Sequence, residues 1–129
     1  MKFALLVTAA PFSNQSAHTA LRFARAVITS GHSIERVFFF RDGVHNASQL
    51  TVMPQDENNV PSEWQHFCRN ENIDAVVCVS AALKRGIVDA REQTRHSLTA
   101  SNIAPGMTIA GLGQLADMLI SADRVITFG

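Results

Sequence analysis

Two of the 129 residues are cysteines, and one of them, Cys78, stands in a stretch whose order suits thiol chemistry: DAVVCVSAALKRG, residues 74–86. An apolar run ends at the thiol, the small residues Ser80, Ala81 and Ala82 follow, and Lys84 and Arg85 come close behind. A helix beginning at Ser80 would turn the unpaired N–H groups of Val79 to Ala82, and the positive end of its dipole, toward the sulfur. Lys84 and Arg85 would add to that field. A free cysteine titrates near ~8.5, and such surroundings lower that by one to several units, which sets the nucleophile population at neutral pH. A cysteine closing an apolar strand also serves as inert packing, so the segment admits both a reactive and a packed thiol. Cys68 is the internal contrast: it lies on the apolar stripe of a helix with no anion-stabilising neighbour and reads as core.

The other candidate motifs are weaker. GLGQLA at 111–116 fits a dinucleotide fingerprint, but the acidic residue expected ~20 positions further on would fall at or past the last residue given, and the fingerprint belongs in a first βα unit. A tight turn into a close-packed helix explains its glycines better. The first βα loop, AAPFSNQ, lacks the glycines of a phosphate cradle. His18, His32, His45, His66 and His96 are scattered, without HxxxH or HExxH spacing. His45 and His96 fall in loop-rich regions that can approach the cysteine as proton partners. Ser80 sits in no G-x-S-x-G elbow, which sets a serine hydrolase aside. Without CxxC or a His/Cys cluster, no zinc site is expected.

Holding Cys78 at a reactive position requires a strand that ends there, and the hydrophobic pattern supplies it. Phe3–Val7 is a continuous apolar run, as in a strand covered on both faces. Ala17, Ala20, Leu21, Ala24, Val27 and Ile28 recur at helical spacing, with Gly31 at the position of a left-handed C-terminal residue. Ile34–Phe40 reads as a second strand, followed by a loop to about Asn59 with a short helix around His45 to Leu50. Val44, Leu50, Val52 and Met53 are candidate contacts for a partner there. Pro61 opens a second helix striped by Val60, Trp64, Phe67 and Cys68 and ending near Asn72. Ile73–Val79 is the third strand and Ser80–Arg85 a short helix stopped by Gly86. Residues 87–102 are helical in part, Met107–Ala110 is a short strand, Leu112–Ser121 a helix and Arg124–Phe128 a last strand. Alternating strands and helices predict an α/β fold: one domain over residues 1–129, with a mostly parallel sheet of about five strands, helices on both faces and flavodoxin-like layering. Ligands and reactive groups collect beyond the carboxyl ends of such strands.

Composition bounds the partners. Lys+Arg and Asp+Glu both number 11, so no overall charge draws the chain to nucleic acid or an anionic membrane. With 47% hydrophobic residues, eight Phe and no Tyr, a well-filled core is expected. MKFALLVT is too short an apolar run for a secretory signal, and no stretch reaches the ~18 apolar residues of a membrane span. A cytoplasmic location is the expectation, and there two cysteines are thiols rather than a disulfide.

The segment CVSAALKRG at 78–86 resembles the active-cysteine segment of the DsrE/DsrF-like sulfur-transfer proteins. Similarity extends through MKFALLVTAAPF at the start, VFFFRDGVHNASQLT, TASN at 99–102, GLGQLADML at 111–119 and ADRVITFG. Within the family the likeness is greatest to the catalytic subunit of a TusBCD-type relay. The resemblance implies a DsrE-like fold and a sulfurtransferase that carries a persulfide on Cys78, with neither metal nor organic cofactor. It further implies TusB-like and TusC-like sister subunits in a dimer of heterotrimers, a TusA-like sulfur donor, a TusE-like acceptor, and 2-thiolation of tRNA wobble uridine without direct contact to nucleic acid. Related DsrE proteins serve sulfur oxidation instead. A relay needs one thiolate, ionised and reachable at the rim, and no resolving cysteine. A non-catalytic interaction subunit of the same fold, or a flavodoxin-like nucleotide binder, are the remaining readings of the residues.

Overall fold

The structure, a computed structural model, describes residues 1–129. Its elements in chain order are β1 (Lys2–Val7), α1 (Ser16–Thr29), β2 (Ser33–Phe39), a 3-10 helix (Arg41–Ala47), α2 (Val60–Asn70), β3 (Asp74–Cys78), α3 (Val79–Lys84), α4 (Ala90–Arg95), β4 (Met107–Ala110), α5 (Gly113–Ser121) and β5 (Arg124–Phe128). The five strands form one sheet in the order β4-β3-β2-β1-β5, with every neighbouring pair parallel. The α/β fold with helices on both faces is the one the sequence predicts.

The order explains how the faces are covered. From β1 to β4 the chain steps across the sheet in one direction, and right-handed crossovers lay α1 and α2 on one face; the return from β4 to β5 runs the other way and puts α5 on the opposite face. On the first face Phe39 meets Trp64 edge-on at 5.3 Å, and Phe23 packs against Phe3 at 5.9 Å and Phe128 at 5.5 Å. Trp64 is fully buried, and its indole N–H donates to the Ala17 carbonyl at 3.2 Å, tying α2 to α1. Strand registers assign the second face to Arg36 and Phe38 of β2, Asp74, Val76 and Cys78 of β3, and Thr108 and Ala110 of β4, because register partners in a parallel ladder share a face. Arg36 crosses to α5 there, donating from Nη1 to the Gln114 carbonyl at 2.8 Å.

Several expectations change. The third strand ends one residue early, at Cys78, which is the last extended residue (ψ 125°) before α3 starts at Val79. The short helix after β2 lies at Arg41–Ala47 rather than 45–50, because Gly43 lets the chain tuck against the end of β1: a Cβ there would collide with the Val7 carbonyl oxygen. That tuck buries Val44 completely, so it belongs to the core and not to a docking loop, whereas Leu50 and Val52 are exposed. Of residues 87–102 only Ala90–Arg95 is helical, capped by the Asp89 carboxylate accepting from the Glu92 N–H. The close-packed helix after GLG is not found. Met118 of α5 is buried, but Leu112, Leu119 and Ile120 are 53%, 55% and 84% exposed, and a Cβ on Gly111 or Gly113 would touch nothing.

Candidate functional site

Cys78 sits at the carboxyl end of β3, beside Ala110 of β4, and is the N-cap residue of α3. Its placement at the sheet rim follows from the switch out of extended backbone at Val79 that the small residues Ser80 and Ala81 permit. The sulfur's surroundings differ from the expected ones. No N–H of α3 is capped by the side chain; the polar group within reach is the Ser80 hydroxyl, with Oγ 3.6 Å from Sγ. The residue is 1% exposed, so in the isolated chain the thiol lies under cover at the rim and is not open to solvent. Phe40, Ala110 and Leu115 are partly buried against the core that includes it.

The two basic residues expected beside the sulfur are engaged or distant. Arg85 donates from Nε to Asp42 Oδ1 at 2.8 Å and from Nη1 to the Ala81 carbonyl at 3.1 Å. Its guanidinium holds the Asp42 carboxyl below the usual carboxylate range. Lys84 is at the far end of α3. The Arg85–Asp42 pair instead closes α3 onto the 3-10 helix and lines an open cleft of about 560 Å3 at the same rim, with Ser13, His45, Ser48, Thr51 and Asn102. His45 therefore reaches the rim, in that cleft. His96 does not: its Nε2 lies 3.1 Å from Oε2 of the buried Glu92, on α4.

Cys68 behaves as the contrast the sequence gives: it is buried on α2, and desolvation pushes its thiol up to about 12. Two features of the rim escaped the sequence. Asp42 and Arg85 are 43 positions apart, and no local pattern couples them. Asn46 is fully buried and donates from Nδ2 to the carbonyls of Ala9 and Gly43, pinning the 3-10 helix to the loop after β1; its place three residues after Gly43 was the available signal.

A five-stranded parallel α/β sheet with a lone cysteine at the carboxyl edge of an inner strand defines a small class of thiol-bearing domains. The profile of the DsrE/DsrF-like family matches residues 1–128, and the chain belongs to that family. It is 45% identical over 129 residues to DsrE of Allochromatium vinosum, whose name marks it as a candidate sulfurtransferase, with 100% of this chain and 99% of that protein covered. Among solved structures it is similar to the crystal structure of the YchN protein from E. coli, with a TM-score of 0.79, 25% identity and 99% of each chain covered. No helix is long and apolar enough to cross a membrane.

Proposed function

We propose that this chain is a sulfurtransferase of a persulfide relay, with Cys78 as its catalytic residue. The observation that carries the reading is the position of Cys78: the last residue of an inner strand, at the rim where a parallel sheet collects its chemistry, in a chain of the DsrE/DsrF-like family. The Cys78 thiolate attacks the outer sulfur of a donor persulfide. A new bond forms between Sγ and that sulfur, the donor's S–S bond breaks, and the donor departs as a thiolate while the proton stays on the transferred sulfur. The acceptor's thiolate then repeats the step on the outer sulfur of Cys78, which is restored. Neither step changes the net oxidation state, so a single cysteine suffices.

The cover over Cys78 makes transfer depend on displacing side chains at the rim, a task for a docked carrier. TusD is the family member whose role fits best: it receives sulfur from a TusA-like donor, works with TusB-like and TusC-like subunits as a dimer of heterotrimers, and supplies a TusE-like acceptor for 2-thiolation of wobble uridine in the cytoplasm. The likeness around CVSAALKRG and VFFFRDGVHNASQLT supports this branch, and the exposed apolar side of α5 supports assembly with sister subunits. The identity with the Allochromatium protein favours a second reading, a DsrE-type carrier in sulfur oxidation. The deciding experiment is intact-protein mass spectrometry after incubation with a sulfane-sulfur donor. One added sulfur, removed by reductant, mapped to Cys78 and absent from Cys78→Ser, is expected; loading that persists in Cys78→Ser ends the proposal. Recovery of tRNA 2-thiouridine in cells lacking their own relay then separates the two branches.

A further inference from the structure

We propose that Ser80 is the gate of the sulfur site: its hydroxyl covers the Cys78 sulfur in the empty protein, turns aside as a second sulfur is added, and then donates a hydrogen bond to that outer sulfur. The inference deepens the relay reading and rests on Cys78 being the carrier. Cys78 is 1% exposed, whereas Ser80, two residues further along, is exposed. Ser80 Oγ stands 3.6 Å from Cys78 Sγ. One side chain therefore joins the sealed sulfur to the surface, and the hydroxyl at its tip makes no other hydrogen bond that would hold it in place.

The rest of this end of the core has little freedom to yield. Ala110, the register partner of Cys78 on β4, has no side-chain torsion to turn, and neither have the buried Ala81 and Ala82. Phe40 is held between Phe38 at 6.3 Å and the Arg41 guanidinium at 5.9 Å. Ser80 differs because α3 begins at Val79: no helical turn precedes it, so the clash that restricts χ1 inside a helix is absent and all three staggered positions are open. The space needed matches that freedom. A hydrogen bond meets a thiol on the side away from its Cβ bond, which is also where a second sulfur must bond. With an S–S bond of about 2.05 Å, a sulfur added toward Ser80 would come within roughly 1.6 Å of the present Oγ. A step to the next staggered position carries Oγ about 2.3 Å away, which clears the new atom and leaves the hydroxyl near enough to donate to it.

Methyl methanethiosulfonate tests the gate without a sulfur carrier. The Cys78 thiolate attacks the methylthio sulfur, an S–S bond to Sγ forms, the donor's bond to its sulfonyl sulfur breaks, and methanesulfinate leaves with that electron pair. Uptake is followed on the full chain by intact-protein mass spectrometry in wild type, Ser80→Ala and Ser80→Thr, with Cys78→Ser as the blank for Cys68. Rates are compared at each variant's high-pH plateau, where differences in ionisation drop out. Ser80→Ala is expected to react three- to tenfold faster, the factor of one hydrogen bond that no longer has to break, and Ser80→Thr, which keeps the hydroxyl, no faster than wild type. After loading from a sulfane-sulfur donor, loss of the outer sulfur to a small thiol should likewise be three- to tenfold faster from Ser80→Ala than from wild type or Ser80→Thr. A residue that only supports the helix would be disturbed in the same sense by both substitutions. Uptake by Ser80→Ala no faster than wild type, a Thr variant that matches Ala, or an outer sulfur lost equally fast from all three proteins overturns the proposal. Methylthio uptake that follows this order in a protein that never loads sulfane sulfur overturns the relay and leaves Ser80 as the gate.

Discussion

Gly43→Ala adds a single methyl group and should be among the most damaging small changes in the chain. The new Cβ would overlap the Val7 carbonyl oxygen and lie 3.2 Å from Thr8 Cα, both backbone atoms. Neither can rotate aside, since the Val7 carbonyl accepts the Phe40 N–H at 2.9 Å and the Thr8 N–H donates to the Phe128 carbonyl at 2.9 Å. The 3-10 helix must therefore lift. Lifting breaks the Gly43 N–H bond to the Phe40 carbonyl at 2.8 Å and the Asn46 bond to the Ala9 carbonyl at 3.3 Å. Each buried group left unpaired costs about 1–3 kcal/mol, giving roughly 4 kcal/mol together. At about 4 °C per kcal/mol for a domain of this size, Tm should fall by around 15 °C. Thermal melts by circular dichroism are the assay, with amide exchange at Phe40 reporting the local lift. A Tm within 3 °C of wild type would refute the steric argument. Gly86→Ala is the matched control: Gly86 has φ 74° but open space where a Cβ would stand, so only the left-handed penalty of about 1–2 kcal/mol is expected.

Other expected outcomes follow from the same geometry. With its thiol pushed up to about 12, Cys68 should hold a thiolate fraction of only about 10⁻⁴ at pH 8 and stay unlabelled by iodoacetamide in the folded protein; peptide mapping that finds it modified as fast in the folded protein as in urea would refute the desolvation of that thiol. Because Arg85 lowers the Asp42 carboxyl below 3.8, their pairing is fully present above that value and fades as pH falls through the folded-state titration. The Tm difference between wild type and Asp42→Asn should thus shrink between pH 7 and pH 3, and a constant difference would count against it. Ile120→Glu, at a position 84% exposed, should alter the stability of the isolated chain by about 0.5 kcal/mol or less and, under the proposed assembly with TusB-like and TusC-like subunits, weaken co-purification with them; unimpaired co-purification would take α5 out of the proposed interface.

The fold was readable because parallel strands buried on both faces write continuous apolar runs, and Phe3–Val7 and Ile73–Val79 stand out as such. Helical stripes such as Ala17–Ala20–Leu21–Ala24 and Trp64–Phe67–Cys68 are equally plain, and the two cysteines separate by their place on strand end and helix stripe. What surrounds Cys78 was less legible. Whether the sulfur meets N–H groups or the Ser80 hydroxyl turns on one residue of strand length, and its cover depends on neighbours from β2 and β4. The partner of Arg85 lies in a segment without periodicity, where no short-range rule applies. The packing of α5 misled because its apolar residues exceed what one sheet face absorbs. Gly43 reads as a turn residue, yet its reason is the nearness of Val7 and not a positive φ.

The placement of β5 has a consequence for biosynthesis. The outer flank of β1 is filled only by β5, and the two are latched by the Lys2 N–H donating to the Asp123 carboxylate across 121 positions of sequence. While a ribosome is still making that distance, the first strand offers bare amides and carbonyls along one side, and Phe23 lacks the ring of Phe128 that later shields it. Such an edge invites pairing with another nascent chain. Synthesis that stalls before residue 124 would leave a polypeptide prone to stick to its own kind, and chaperone demand should persist until β5 has been made.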